Sequence, residues 1–289
     1  MLIVLQCKDI ELDTGVITFE NGKTVQHEAI IGADGIGSAV RRILGIKVDK
    51  KAASSGCLHT NVDTAQAVSM GLVDYSQNSG IEFWGGHESK AKIVLSPCNG
   101  GSLLSYYCFF ERPEGEVQQE MKWNEEASVD ELLAPYPDLD DQVKDHLKIG
   151  VEIRPWRLWV HQPYSHWQKG VACIMGDAAH PMMPDQSQGA CMAIEDAAAL
   201  GIVFNKDYFN GDVRRTLQLY EAVRKPRASK VQAASARARE NINERIGFSS
   251  NTDTARYKVQ NEEGKLTIEE MNSYDMFNDV AEKSRDLAA

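Results

Sequence analysis

Twice in this chain a short apolar run ends in a turn of glycine and aspartate with a helix-like stretch beyond it. This repeated pattern restricts the fold more than any other feature of the sequence. The first run is Ala29-Ile30-Ile31-Gly32-Ala33, followed by Asp34-Gly35-Ile36-Gly37-Ser38 and a helical stretch from Ala39 to Leu44. The second is Gly170-Val171-Ala172-Cys173-Ile174-Met175, then Gly176-Asp177, a loop rich in Pro, Asp and Gln, and a helix from Ala190 to Val203. Such continuous apolar runs suit strands buried on both faces, as in parallel sheets. In open α/β sheets ligands lie at the carboxyl ends of the strands. A short carboxylate there can accept hydrogen bonds from ribose-type hydroxyls, and the free amides of the next helix can face anionic oxygens. The pattern predicts an α/β chain with a ligand at these two turns.

The stretches around the two units read differently. Ile17 to Val25 alternates apolar and polar residues about Asn21-Gly22, which predicts a hairpin with a two-residue turn. Ile81 to Trp84, Lys92 to Leu95 and Leu103 to Phe110 are β-like runs punctuated by Gly and Asn, and they predict a mostly antiparallel sheet over residues 52–112. Tyr106, Tyr107 and Trp84 read as packing in that sheet rather than as pocket lining. Residues 113–150 are acidic and helical, with surface helices at Asp130–Leu133 and Leu139–Leu147 separated by Pro135-Tyr136-Pro137. In the helix after the second turn, Ile194, Ala197, Ala198, Gly201 and Ile202 share one face. A long helix spans Val213 to Ile242, with Pro226 as a kink and Val231, Ala234, Ala238 and Ile242 as its apolar stripe. The tail beyond Gly247 is polar and weakly patterned.

Composition narrows the function classes. The formal charge of −11 disfavours non-specific binding to nucleic acid and anionic lipid. No stretch approaches the length of a membrane span, and no basic segment precedes Leu2-Ile3-Val4-Leu5, so a cytoplasmic protein is expected. The six cysteines form no C-x-x-C pair and predict neither a metal framework nor a disulfide scaffold; several read as small buried hydrophobes. His161 and His166 lie five apart with no acidic partner nearby in sequence, which argues against a metal site. His180, followed by Pro181, reads as a structural residue of a stiff loop.

The second turn, Gly176-Asp177-Ala178-Ala179-His180-Pro181-Met182-Met183-Pro184 with Gln188-Gly189-Ala190, resembles the G-D motif of the FAD-dependent aromatic-ring monooxygenases. The likeness is to the group A flavoprotein hydroxylases, in their salicylate-hydroxylase-like branch of fungal secondary metabolism. It continues through Met192-Ala193-Ile194-Glu195-Asp196-Ala197. Asp34, Gly35, Ser38 and Arg41 resemble the same family's D-G motif, and Leu219-Tyr220-Glu221-Ala222-Val223-Arg224-Lys225-Pro226-Arg227 resembles its C-terminal helix. The resemblance implies a Rossmann-like FAD/NAD(P)-binding fold with an inserted antiparallel substrate sheet. It divides the chain into residues 1–50 and 156–245 of a FAD-binding domain, a substrate-binding sheet domain over 51–155, and a tail over 246–289. It further implies FAD as cofactor, NAD(P)H as cosubstrate, O2, and hydroxylation of a small aromatic or polyketide-like substrate through a flavin C4a-hydroperoxide. The cofactor carries that chemistry, and the protein orients and shields it. By the same resemblance Asp177 meets the ribityl chain. Gly176 and Pro184 belong to the close, stiff approach to the flavin, Gly189 and Ala190 bring amides to its pyrimidine, and Asp34 links FAD to transient NAD(P)H binding.

The sequence departs from that pattern in two respects. The family opens with a Gly-rich G-x-G-x-x-G turn that cradles the FAD pyrophosphate, and no such motif occurs in these 289 residues. The chain is therefore expected to lack the family's N-terminal βαβ. Related fungal enzymes also tend to carry an Arg in the first strand after the D-G unit and a Tyr before a Pro. Here His59 and Ser96 stand at those places, and they are the candidate catalytic residues, expected to face the substrate cavity. Two other readings stay open: a non-catalytic relative that binds a partner or ligand, and a FAD oxidase or reductase without oxygen insertion. A flavin spectrum separates the first from a monooxygenase, and hydroxylated product formed with NADPH separates the second.

Overall fold

The computed structural model describes residues 5–78, 80–86, 90–112, 125–246 and 266–287. The first strands are β1 (Cys7–Glu11), β2 (Val16–Phe19), β3 (Thr24–Gln26) and β4 (Ile30–Gly32), followed by helix α1 (Ala39–Ile43). Then come β5 (Lys50–Ala52), β6 (Ser55–Asp63), α2 (Thr64–Ser69), β7 (Glu82–Gly85), β8 (Lys92–Cys98) and β9 (Leu103–Glu111). Helices α3 (Val129–Leu133) and α4 (Asp141–Lys148) precede β10 (Val151–Trp156), β11 (Trp159–His161), β12 (Gln168–Lys169) and β13 (Ala172–Ile174). The chain ends in α5 (Gly189–Val203), α6 (Val213–Glu240), α7 (Ile268–Asn272) and α8 (Met276–Asp286). It divides into two compact units, one of residues 1–50, 161–239 and 243–289 and one of residues 51–160 and 240–242. Strands β5 and β11, where the chain passes between units, pair with each other.

In the first unit β4 and β13 run parallel, with Ile30 opposite Ala172 and Gly32 opposite Ile174. The sheet order is β12-β13-β4, so the central β13 is fully buried while β4 is an edge strand. The sequence predicts Ile31 in a buried strand, but it is 44% exposed: it points to the face of β4 opposite the buried Ile30 and Gly32, and at this edge of the sheet that face is left open. Gly32 is required by close packing: a Cβ there would stand 2.6 Å from Val40 Cβ of α1. The hairpin of β2 and β3 forms with Ile17 opposite Val25. Its turn is three residues long rather than two: Phe19 N–H donates to Lys23 O at 2.9 Å, and at the predicted Asn-Gly pair only Gly22 has positive φ. A single left-handed residue suits that longer loop, whereas a two-residue turn of the expected kind needs two.

α6 is 28 residues long and continues through Pro226; its positions Leu217, Tyr220, Val223, Val231 and Ala234 pack into the core of this unit, and Ala238 is buried as well. The predicted stripe stops short of Ile242, which lies past the helix in a short 3-10 turn. α5 reverses the expectation drawn from its apolar stripe. Ile194 is 70% exposed and Ala197, Ala198 and Gly201 are exposed, while Met192, Asp196, Ala199, Leu200 and Val203 face the core. The predicted featureless tail also contains two helices, α7 and α8, and Leu266 and Val280 join the core. These anchors are too widely spaced to show as a sequence pattern, and residues 247–265 lie outside the described residues.

The second unit holds a five-stranded antiparallel sheet in the order β10-β6-β9-β8-β7, in agreement with the alternating runs. Because side chains alternate along a strand, its two faces differ. Leu58, Val62, Ile93, Leu95, Leu104, Tyr106 and Cys108 form one face and pack with Ala67, Leu132, Val143 and Leu147 of α2, α3 and α4. Tyr106 lies in this core, its hydroxyl 3.0 Å from His146 Nδ1. The acidic segment at 113–124 lies outside the described residues. Cys57, Cys108 and Cys173 are buried and Cys191 is exposed, all as free thiols. Among the described residues no helix is long and apolar enough to cross a membrane.

Candidate cofactor-binding site

The two glycine–aspartate turns follow neighbouring parallel strands, so they emerge at the same sheet end, and one side chain ties them together. Arg41, 6% exposed, donates from Nη1 to Ala178 O at 3.0 Å, from Nη2 to Ile36 O, and lies over the ring of Tyr164 at 5.2 Å. Tyr164 in turn meets His161 Nδ1 at 2.9 Å. Burial, together with nearby Lys50 and Arg41, lowers the His161 pKa to about 4.

The two aspartates have different surroundings. Asp34 Oδ2 accepts the amides of Ala39 at 2.7 Å and Val40 at 3.1 Å, and Oδ1 accepts the Ser38 hydroxyl. Ser38 Oγ then accepts the Arg41 amide at 2.8 Å. Both oxygens of Asp34 thus close the start of α1, satisfying amides that a helix otherwise leaves open. Asp177 makes no hydrogen bond or ion pair within the described residues and is exposed at the apex of a short turn, Gly176–Ala178. Gly176 takes a φ of +56°, and a Cβ there would meet Ala193 Cβ of α5 at 3.4 Å, so the turn sits against that helix.

The start of α5 is open as well. Gln188 supplies no side-chain cap, and the first amide with a helical partner is Met192, bonded to Gln188 O at 2.9 Å. Among the described residues the amides of Gly189, Ala190 and Cys191 therefore have no partner at the positive end of a 15-residue helix. The intervening loop is fixed from α6 and beyond. Gln232 donates to Pro181 O at 2.8 Å, and Gln186 bonds Glu244 O at 2.8 Å and the Ile246 amide at 2.7 Å. Pro184 opens a 3-10 turn whose buried Asp185 pairs with Arg239 at 3.5 Å. Among the predicted residues, Gly176, Asp177, Pro184, Gly189 and Ala190 share one continuous, tethered segment; Asp34 lies on the neighbouring turn with its carboxylate already engaged.

Sequence reasoning missed the charged cluster beneath this segment. Asp196, fully buried on α5, accepts the Gly176 amide at 2.9 Å, His180 Nε2 at 2.6 Å and Arg224 Nε at 2.9 Å. Burial opposes its ionisation, but the His180 bond and charge, the Arg224 charge and the Gly176 amide outweigh burial and hold the carboxyl below the usual range. Arg224, also fully buried, meets Glu195 at 2.7 Å, and Arg227 meets the same Glu195 at 2.8 Å. A polar residue interrupting the buried side of α5 was the available signal; the apolar stripe on the opposite side obscured it.

His59 and Ser96 belong to the second unit, on the sheet face opposite its helices. Register places Ser96 directly across from Ser105 of β9, and His59 Nε2 lies 2.8 Å from Ser105 Oγ. The His59 ring stacks on Trp156 at 5.4 Å and meets Tyr107 at 4.7 Å. Tyr107 therefore leaves the packing role expected for the Tyr pair and joins this half-exposed aromatic face. Burial lowers the His59 pKa below its ordinary value, against the opposing charge of Glu152.

Known proteins match most of the chain. The family model of the FAD binding domain matches residues 11–235, more than three-quarters of the chain. The chain is 29% identical over 232 residues to the FAD-dependent monooxygenase cfoG of Aspergillus candidus, covering 76% of this chain and 52% of that protein. It is 28% identical over 243 residues to hispidin-3-hydroxylase of Neonothopanus nambi, covering 78% and 56%. It thus spans about half the length of the curated relatives it matches. A salicylate hydroxylase substrate complex superposes with a TM-score of 0.72 at 24% identity, over 99% of this chain and 70% of that one. CtdE in complex with FAD and a substrate superposes at 0.74 with 17% identity, over 98% and 68%. The extent of the family match shows that the chain belongs to the FAD binding domain family, and the relatives it resembles are FAD-dependent monooxygenases and hydroxylases.

Proposed function

We propose that this chain forms the flavin-ring and substrate portion of a FAD- and NAD(P)H-dependent monooxygenase acting with O2 on a small aromatic or polyketide-like substrate. The observation that carries this reading is the Asp177 carboxylate, unpartnered at the apex of a turn packed on a helix whose first three amides are also open. These donors and acceptors fit the polyol and the electron-poor end of a flavin. Asp177 accepts from ribityl hydroxyls, and the amides of Gly189, Ala190 and Cys191 face oxygens that carry negative charge. Bound FAD supplies the activation of oxygen. Gly176, at a positive φ, lets the turn pack on α5, and Pro184 stiffens the loop that would carry these groups. On the aromatic face of the second unit, His59 is a neutral imidazole at pH 7. It can accept a hydrogen bond from a phenol or enol hydroxyl, with Ser105 holding its Nε2 and with Tyr107 and Trp156 offering flat apolar surface. Ser96, across from Ser105, adds a hydroxyl to the same face.

A second reading, a relative that binds ligand without turnover, has support in His59 and Ser96, which stand where related enzymes tend to carry an Arg and a Tyr. One experiment addresses both. The purified chain is titrated with FAD and with riboflavin while flavin fluorescence is followed, and NADPH consumption and product are then assayed with phenolic substrates. Flavin binding through the ring and ribityl end, with hydroxylated product, supports the monooxygenase. Binding without NADPH-linked product supports the second reading, and no flavin binding rejects the site.

A further inference from the structure

The Glu195-Asp196 pair and the Arg224 to Arg227 stretch are far apart in sequence and have no part in the flavin contacts proposed above. In the fold they meet. Asp196 contributes one oxygen, Oδ2, to both ends of the Asp177 turn: the amide of Gly176 just before Asp177, and Nε2 of His180 three residues after it. The turn is also closed on itself, since the amides of Ala179 and His180 both donate to Gly176 O at 2.9 Å. The other oxygen, Oδ1, is held by Arg224 from α6. His180 is 1% exposed and its Nε2 is occupied, so it cannot reach a ligand.

From this arrangement we infer that Asp196, locked by Arg224 and acting through His180 and the Gly176 amide, is a positioning residue. It holds the Asp177 carboxylate at a set distance from the open amides of Gly189, Ala190 and Cys191. Asp196 lies on the same rigid helix as those amides, so one side chain registers both halves of the proposed flavin contact. Burying a carboxylate and a guanidinium is costly, and an apolar set of equal volume commonly stabilises a core as well. A charged cluster wrapped around one turn is therefore better accounted for by geometry than by stability. The inference rests on the Asp177 reading, but the two can fail separately.

The test compares Asp196→Asn, His180→Phe, His180→Gln and Asp177→Ala with the unaltered chain by amide hydrogen exchange and by riboflavin and FAD titration. Asp196→Asn is expected to speed exchange across residues 176–188 at least tenfold more than across the rest of the first unit, and to weaken flavin binding at least tenfold. His180→Phe keeps a ring of similar size and removes both ring nitrogens, of which Nε2 is the one bonded to Asp196. It should show the same local effect, and it decides the matter if Asp196→Asn fails to fold. His180→Gln, which restores a donor, should recover most of the protection. Asp177→Ala should weaken flavin binding without altering exchange. Unchanged exchange at 176–188, a rise spread evenly over the first unit, or a local rise with unchanged flavin affinity would overturn the inference. If the unaltered chain binds no flavin, the Asp177 reading fails, and the exchange pattern still decides whether Asp196 positions the turn.

Discussion

The Asp34 and Asp177 turns look alike in sequence and end adjacent strands of one sheet, yet their carboxylates have opposite states. Asp34 is saturated by the Ala39 and Val40 amides and the Ser38 hydroxyl, so it completes a helix that is only five residues long. Asp177 caps nothing, because the turn behind it is already closed by backbone bonds and by a second carboxylate, Asp196. A carboxylate is available to a ligand when something else satisfies the amides around it. In this unit Asp196 carries the structural duty at one turn and leaves Asp177 free, whereas Asp34 has no such substitute.

That contrast can be broken most forcefully from below. Arg224→Met leaves Asp196 buried without its cation, and loss of one partner of a buried pair typically costs about 3–5 kcal/mol. Urea denaturation should show a loss of that order, and a change under about 1 kcal/mol would mean that the cluster does not support the turn. Next comes Asp177→Ala, expected to weaken flavin binding about ten- to a hundredfold, the worth of a charged hydrogen bond, while leaving the unfolding midpoint unchanged. Equal flavin affinity in a chain that binds flavin would remove Asp177 from the site. Asp34→Ala should show the reverse: about 1–2 kcal/mol of stability lost with the helix cap, and little direct effect on flavin. If Asp34→Ala abolished flavin binding at unchanged stability, the division of labour drawn here would be wrong.

The smallest effect concerns pH. Burial lowers the pKa values of His161, to about 4, and of His146 in the second unit. Both are neutral when folded and take up a proton more readily when unfolded, so stability is complete above about pH 6.5 and falls as the pH drops toward 4. Each group can contribute a slope of at most about 1.4 kcal/mol per pH unit across its window. His161→Gln should flatten the fall measured for the first unit. An unchanged pH profile would show that burial does not lower the His161 pKa in the folded protein.

Much of the frame was readable from local pattern. The β-like runs Leu103 to Phe110 and Lys92 to Leu95, punctuated by Gly and Asn, marked antiparallel strands, and the apolar runs at 29–33 and 170–175 marked the parallel pair. The Gly176–Ala190 segment was legible because its small and stiff residues meet backbone demands that do not depend on distant partners. The buried side of α5 was not legible. Asp196 sits where periodicity calls for an apolar residue, and its burial makes sense only with Gly176, 20 residues away, and Arg224, 28 residues away.

The sequence by itself determined that two strand–turn–helix units and an antiparallel sheet would form, since these depend on residue spacing and on the φ angles that glycine and proline allow. Only the tertiary structure decided that Asp177 is open while Asp34 is consumed. It also decided that Arg41 joins the two turns through Ala178, that α5 turns its apolar stripe outward, and that Leu266 and Val280 return to the core. The physical reason is that a polar group is satisfied, or an apolar one covered, by the group packed against it; Asp34 finds its partners within six residues, but the Gly176 amide meets Asp196 20 residues away and Arg41 meets Ala178 O 137 residues away.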